Sequence, residues 1–213
     1  MSKARQVFLL RIMIFTLSFI IAKPVLAEHH FQTTKKHQHS FKLSAREISW
    51  AIFHPFIAGK VFQLSKIALQ TTDSLMSVGK ISDLSGGSAD AFKHAYWMAT
   101  LTQNIGQKKA IRLGIIHEKV NYKSYTKGQS NQDSIASLMD LKNNEVGANI
   151  SIKNSNVSNS KLIDKLLIAI NAGELFMIKK DSLGNYLNCE GEIIDIKSRK
   201  NWGKGKCLIS SFL

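Results

Sequence analysis

Along residues 44–173 the apolar positions recur at helical spacing, interrupted by residues that start and stop helices. Ser44-Ala-Arg-Glu47 reads as a capping box, in which serine and glutamate satisfy each other's backbone amides. Ile48, Trp50, Ile52 and Phe53 follow, and His54-Pro55 ends that helix. A second helix is predicted from Pro55 to about Ser77, with Phe56, Phe62, Ile67 and Leu75 as its apolar surface. Residues 79–87 read as a loop, punctuated by Gly86-Gly87. Ser88 is expected to cap a third helix to about Asn104, and Gly106 to end it. A fourth helix is predicted from Gln107 to about Val120, and a polar loop from Asn121 to Gln132. Asp133 or Ser134 caps a fifth, ending near Ile150. Residues 151–160, nearly all Ser and Asn, read as an exposed turn. Ser160 caps a sixth helix to Asn171, closed by Gly173.

Beyond residue 173 the pattern changes. Short apolar runs, Leu175–Ile178, Tyr186-Leu187 and Ile193–Ile196, alternate with turn residues, as in a small antiparallel meander. The expected fold class is mainly α, an orthogonal or bundle-like domain of about six helices over 44–173. A small β appendage follows over 174–213. Cys189 and Cys207 are candidates for a disulfide that would close a short C-terminal loop; free thiols are the alternative.

The N-terminus changes the expected compartment. Lys3, Arg5 and Arg11 flank an apolar run from Ile12 to Ala22, and Val25 and Ala27 are small residues ahead of Glu28. Residues 1–27 read as a secretory signal peptide, with a periplasmic or secreted destination and no transmembrane span after cleavage. The run is short for a retained anchor. Residues 28–43 hold four of the seven histidines and read as a flexible leader. His30, third from the new amino terminus, offers a square-planar Cu(II) or Ni(II) chelate as a lesser alternative.

Composition is that of a globular chain: 44% hydrophobic, 21% charged and 2 prolines in 213 residues. The net charge of +14 comes from dispersed lysines without a long basic run. A specific nucleic-acid partner is therefore not expected. Anionic envelope components suit an exported basic protein better.

Three helices carry the candidate chemistry. Asp90, His94, Trp97 and Leu101 step by four, three and four along the third helix and share a face. A carboxylate beside an imidazole is expected to raise the histidine's pKa and orient its ring. The fourth helix ends on His117-Glu118, and the fifth places Asp140, Asn143, Asn144 and Gly147 on one stripe. His94, Asp90, His117, Glu118 and Asp140 are the expected catalytic group, with Trp97, Asn143 and Asn144 as substrate-binding residues. His94, His117 and Asp140 would be ligands if a divalent metal such as zinc is the cofactor. No Gly-x-Ser-x-Gly elbow supports a serine nucleophile.

Trp50-x-x-x-His54-Pro55, Asp90-Ala-Phe-x-His94-Ala-Tyr-Trp97, Gly114-x-x-His117-Glu118 and Met139-Asp140-Leu-x-Asn143-Asn144-x-x-Gly147 occur in that order. Over about residues 45–150 the chain resembles the bacterial family of unknown function DUF6973. The resemblance implies a predominantly helical domain of bacterial origin, without a settled activity. It also implies kinship with domains at the ends of toxin-like or secreted proteins, which favours a hydrolase. Two expectations follow. One is an envelope-directed hydrolase acting on an anionic substrate through the His/Asp/Glu group. The other is a non-enzymatic exported binding or structural module whose polar network fixes the helical core.

Overall fold

The computed structural model describes residues 44–129, 131, 133–194, 196 and 205–211. The expected signal peptide (1–27), the leader (28–43) and Trp202 lie outside the described residues. Among those described, six helices and a two-stranded antiparallel sheet form a mainly α fold.

Local chemistry sets the first two helices. Helix α1 (Ala45–Phe53) opens on a complete capping box: the Glu47 amide donates to Ser44 Oγ at 3.2 Å, and the Ser44 amide donates to Glu47 Oε2 at 2.8 Å. His54 ends it and stacks on Trp50 at 4.4 Å between ring centroids. Pro55 opens helix α2 (Pro55–Ser77), where its fixed φ suits a first turn that needs no amide donor.

Helix α3 (Ser88–Ile105) is the axis of the fold, and fourteen of its residues are buried. Its N-cap is Gly87, not Ser88. The Ser88 hydroxyl instead accepts from the Ser82 amide and donates to the Ser82 carbonyl, which fastens the preceding loop. One side of α3, through Phe92, Ala95, Tyr96 and Ala99, packs with Leu162, Leu166 and Ile170. The other, through Met98, Leu101 and Ile105, packs with Trp50, Leu64 and Leu113. Full burial of each large apolar side chain contributes about 1.5–3 kcal/mol.

Helix α4 (Gln107–Thr126) and helix α5 (Ser134–Lys153) each run past the predicted end. Helix α6 (Asn159–Asn171) starts one turn's edge earlier than predicted, with Ser158 as its cap rather than Ser160. Gly173 sits at φ +76° just beyond α6, where a left-handed residue lets the Glu174 amide reach the Ala169 carbonyl at 2.9 Å.

The appendage is slighter than a regular meander. Strand β1 (Phe176–Ile178) pairs antiparallel with strand β2 (Leu208–Ser210), aligning Met177 with Ile209. Among the described residues between them lie isolated bridges, Lys180 with Tyr186 and Leu187 with Ile193. A Cys189–Cys207 disulfide and the Cys207 amide, which donates to the Leu187 carbonyl at 3.0 Å, tie this segment to the start of β2. No helix among the described residues is long and apolar enough to cross a membrane.

Candidate functional site

Helices α3, α4 and α5 meet where small residues let them approach. A Cβ on Gly147 of α5 would lie 2.0 Å from the Ala95 carbonyl oxygen of α3. A Cβ on Gly114 of α4 would lie 2.6 Å from Met98 Cε and 3.1 Å from Asn144 Nδ2. These close contacts bring four charged or ionisable side chains from three helices into one buried group.

His94 is its centre. Its Nε2 stands 3.3 Å from Asp140 Oδ1 and 3.7 Å from Asp90 Oδ1, and its Nδ1 stands 3.7 Å from Glu118 Oε1. Asp90, His94, Glu118 and Asp140 are all buried. Asp90 is held from two sides: Oδ2 accepts from the Gly86 amide at 2.9 Å, and Oδ1 pairs with Lys93 Nζ at 2.6 Å. Glu118 Oε2 accepts from Asn121 at 3.2 Å. Glu118 Oε1, His94 Nδ1 and both polar atoms of the Asn144 amide make no hydrogen bond of good geometry, although Asn144 interacts with His94 and Glu118 with Asp140.

Electrostatics here oppose the sequence expectation. His94 titrates well below the ordinary histidine value, so its imidazole is neutral. Burial is the main cause, followed by the charges on Lys93 and His117, while Asn144 acts in the opposite direction. The neighbouring Asp90 does not reverse this. Burial pushes Asp140 well above the carboxylate range, reinforced by Asp90 and Glu118. Burial also raises Glu118, against the opposing His117 charge and the Asn121 bond. Lys93 is raised because Asp90 and Asp140 outweigh its burial.

His117 faces a different partner. Its Nδ1 lies 2.7 Å from Glu47 Oε1, so one glutamate caps α1 and pins α4 at the same time. Its ring is 6.5 Å from that of His94 and 5.4 Å from that of Trp97, and 36% of its side chain is exposed. Burial lowers its pKa, but the Glu47 bond and the charges of Glu118 and Glu47 raise it more. Glu47 lies below its usual range, since His117 and Ser44 outweigh its burial.

The pair therefore has a pH window. The raised histidine stabilises the fold below about 6.5 and that contribution is lost as pH rises through its folded pKa. The lowered glutamate stabilises above about 4.5 and its share is lost as pH falls through its folded pKa. Glu47→Gln is expected to lower the His117 pKa, because burial then meets less opposition. Histidine proton titration by NMR checks this, and an unmoved His117 pKa would exclude the coupling.

The expected substrate residues separate. Asn144 lies beside His94 in the buried group. Asn143 does not join it: Nδ2 donates to the Phe176 carbonyl at 2.9 Å and Oδ1 accepts from the Phe176 amide at 2.8 Å. It thus docks β1 on α5, which leaves its amide committed to backbone. Trp97 touches the His117 ring and donates from Nε1 to Ser65 Oγ at 2.8 Å. Among the described residues the group with metal-ligand geometry is Asp90, His94 and Asp140, not His94, His117 and Asp140. Glu47 and Lys93 were missing from the sequence reading of the site. Lys93 was detectable at i+3 from Asp90, whereas Glu47 is 70 residues from its partner.

The family model "Domain of unknown function (DUF6973)" matches residues 48–174, well over half of the chain. The chain belongs to this family. No curated protein and no solved structure matches it. The DUF6973 segment begins inside α1 and ends just before β1, so it contains Asp90, His94, Glu118 and Asp140. Glu47, the sheet and the disulfide lie outside it.

Proposed function

We propose that this DUF6973 protein is an exported hydrolase of the bacterial envelope that acts on an anionic substrate. One observation carries the reading: a neutral buried imidazole stands among three carboxyl groups, with polar atoms of His94, Glu118 and Asn144 making no hydrogen bond of good geometry. Unpaired buried polar atoms are costly to a purely structural core. They suit a centre that takes up water or substrate.

In this reading the attacking water is activated at the Nε2 face of His94, between Asp90 and Asp140. Its proton passes to Nε2 of the neutral His94 imidazole, which burial keeps unprotonated. Glu118, behind Nδ1, holds the ring. His117 stands at the half-exposed rim with Glu47 on Nδ1, which leaves Nε2 to donate to the leaving group. Lys93 and the basic surplus of the chain attract the anionic substrate. Export rests on the basic, apolar and small-residue pattern of residues 1–27.

The test uses three probes: bis(p-nitrophenyl) phosphate, anionic phospholipid vesicles and peptidoglycan, each with and without added divalent cations. Hydrolysis of at least one is expected, with a loss of at least about 100-fold in His94→Ala. No hydrolysis of any probe would overturn the reading. So would full activity in a folded His94→Ala, His117→Ala double variant.

Burial favours a second reading, since Asp140 is 0% and Glu118 2% exposed. The domain is then a binding module for anionic envelope components, and the polar group fixes the packing of α3, α4 and α5. Apolar replacement of the whole group would preserve stability and binding in that case.

A further inference from the structure

The buried group crowds three carboxyl groups around one imidazole. Asp90, Glu118 and Asp140 surround His94, and Lys93 supplies one cation beside Asp90. Were all three carboxyls ionised, one ammonium would leave two negative charges in excess. A single divalent ion would neutralise the group, and buried charge persists only when it is paired or bound to metal.

The geometry gives such an ion a place. One oxygen of Asp90, one of Asp140 and one nitrogen of His94 lie within 4.8 Å of one another. The two distances from Nε2 are 3.3 and 3.7 Å. Donors bound tetrahedrally at about 2.0–2.2 Å stand roughly 3.3–3.6 Å apart. The triangle therefore has the size of a metal's ligand set, without large rearrangement.

Two further features point to a ligand rather than to a chance cluster of acids. Glu118 Oε1 lies 3.7 Å from His94 Nδ1, the ring nitrogen that does not face Asp90 and Asp140, and the Glu118 carboxyl also bonds Asp140. A carboxylate there favours the Nδ1–H tautomer and turns the Nε2 lone pair toward Asp90 and Asp140, the arrangement behind metal-bound histidines. Secondly, Asn144 is 98% buried beside this ring and interacts with His94, yet neither polar atom of its amide, nor His94 Nδ1, makes a hydrogen bond of good geometry.

We propose that Asp90, His94 and Asp140 bind one divalent transition-metal ion of the zinc or manganese class, with Glu118 as the positioning carboxylate of His94. Asp90 thereby takes the place that the sequence pattern assigned to His117. As a device for activating water, the ion rests on the hydrolytic reading. As a binding site it does not, and binding is measured without any substrate, so the two ideas fail separately.

The experiment titrates Zn²⁺ and Mn²⁺ alone into the full chain, purified without a histidine tag and stripped with chelator. Elemental analysis follows desalting. His29, His30, His37 and His39 are replaced by Asn in the reference protein, so that leader histidines cannot contribute. One equivalent of metal per chain is expected. Asp90→Asn, His94→Gln and Asp140→Asn should each weaken binding at least tenfold, and Glu118→Gln by about 10–100-fold. His117→Ala should keep it. Circular dichroism confirms that each variant is folded. Absence of a bound equivalent of either metal in the folded reference protein would overturn the site. So would undiminished binding in folded His94→Gln, or loss in His117→Ala equal to that in His94→Gln.

Discussion

Gly147→Ala is expected to destabilise the domain by at least about 4 kcal/mol, or to prevent folding. Helices α3 and α5 pack against each other more extensively than any other pair of elements. At their crossing, a Cβ on residue 147 would meet Ala95 backbone: the carbonyl oxygen at 2.0 Å, its carbon at 2.7 Å and Cα at 2.8 Å. No rotamer relieves a clash between a Cβ and a helix backbone. The helices must separate, which opens the apolar cluster of Phe92, Ala95, Tyr96 and Ala99. Separation also pulls Asp140 away from His94, now 3.3 Å apart. Gly59 is the control. It lies inside α2 with nothing within 4 Å of a Cβ, so Gly59→Ala should stabilise by about 0.5–1 kcal/mol. Urea denaturation of both variants checks the pair. A Gly147→Ala midpoint equal to that of the wild type would exclude the contact as the reason for this glycine.

Helix starts were legible in the sequence because their causes are local. Ser44 and Glu47 are three residues apart, and Pro55 acts on its own turn. Helix ends were less legible. Residues 121–126 are polar and aromatic without an apolar stripe, yet α4 runs on to Thr126. A helix extended beyond the core needs no apolar face, only backbone bonds and a stop. The Gly128 amide donates to the Tyr125 carbonyl at 2.9 Å, with Gly128 at φ +81°. Likewise α5 continues through Ser151 to Lys153, where composition suggested a turn.

The polar group divides in the same way. Asp90, His94 and Lys93 are within one helical turn, so their proximity follows from spacing. That Glu118 and Asp140 join them depends on how α4 and α5 cross α3, and no periodicity states it. The fates of Asn143 and Asn144 show the limit: adjacent amides on one stripe, one taken by the Phe176 backbone and one left in the buried group. The sign of the His94 shift depends on the same packing. An isolated Asp–His pair raises a histidine, but full burial and the Lys93 charge together exceed that attraction.

Asp133→Ala is expected to cost about 4–5 kcal/mol, because one side chain performs two buried tasks. Its Oδ1 caps α5, accepting from the amides of Ile135 at 3.0 Å and Ala136 at 2.9 Å. Its Oδ2 pairs with Lys206 Nζ at 2.5 Å, with exposures of 0% for Asp133 and 2% for the lysine side chain. The cap contributes about 1 kcal/mol. The larger share comes from Lys206, which would lose its carboxylate while its ammonium stays buried over the Tyr186 ring. Asp133→Asn separates the two, since it keeps the cap acceptor and removes the charge. It should therefore lose most of the same stability. Lys206→Met should cost less than Asp133→Ala, because the cap survives and Asp133 retains two amide donors. Added salt to 0.5 M should change these differences little, as screening hardly reaches a pair this enclosed. Denaturation midpoints at two salt concentrations provide the check. Equal stability of Asp133→Asn and wild type would show that the tail's ion pair contributes nothing net. Because Lys206 adjoins the disulfide-bonded Cys207 and leads directly into β2, the same variants should loosen the C-terminal segment before the helices. Faster amide exchange confined to 176–178 and 208–210 in Asp133→Asn would register that order.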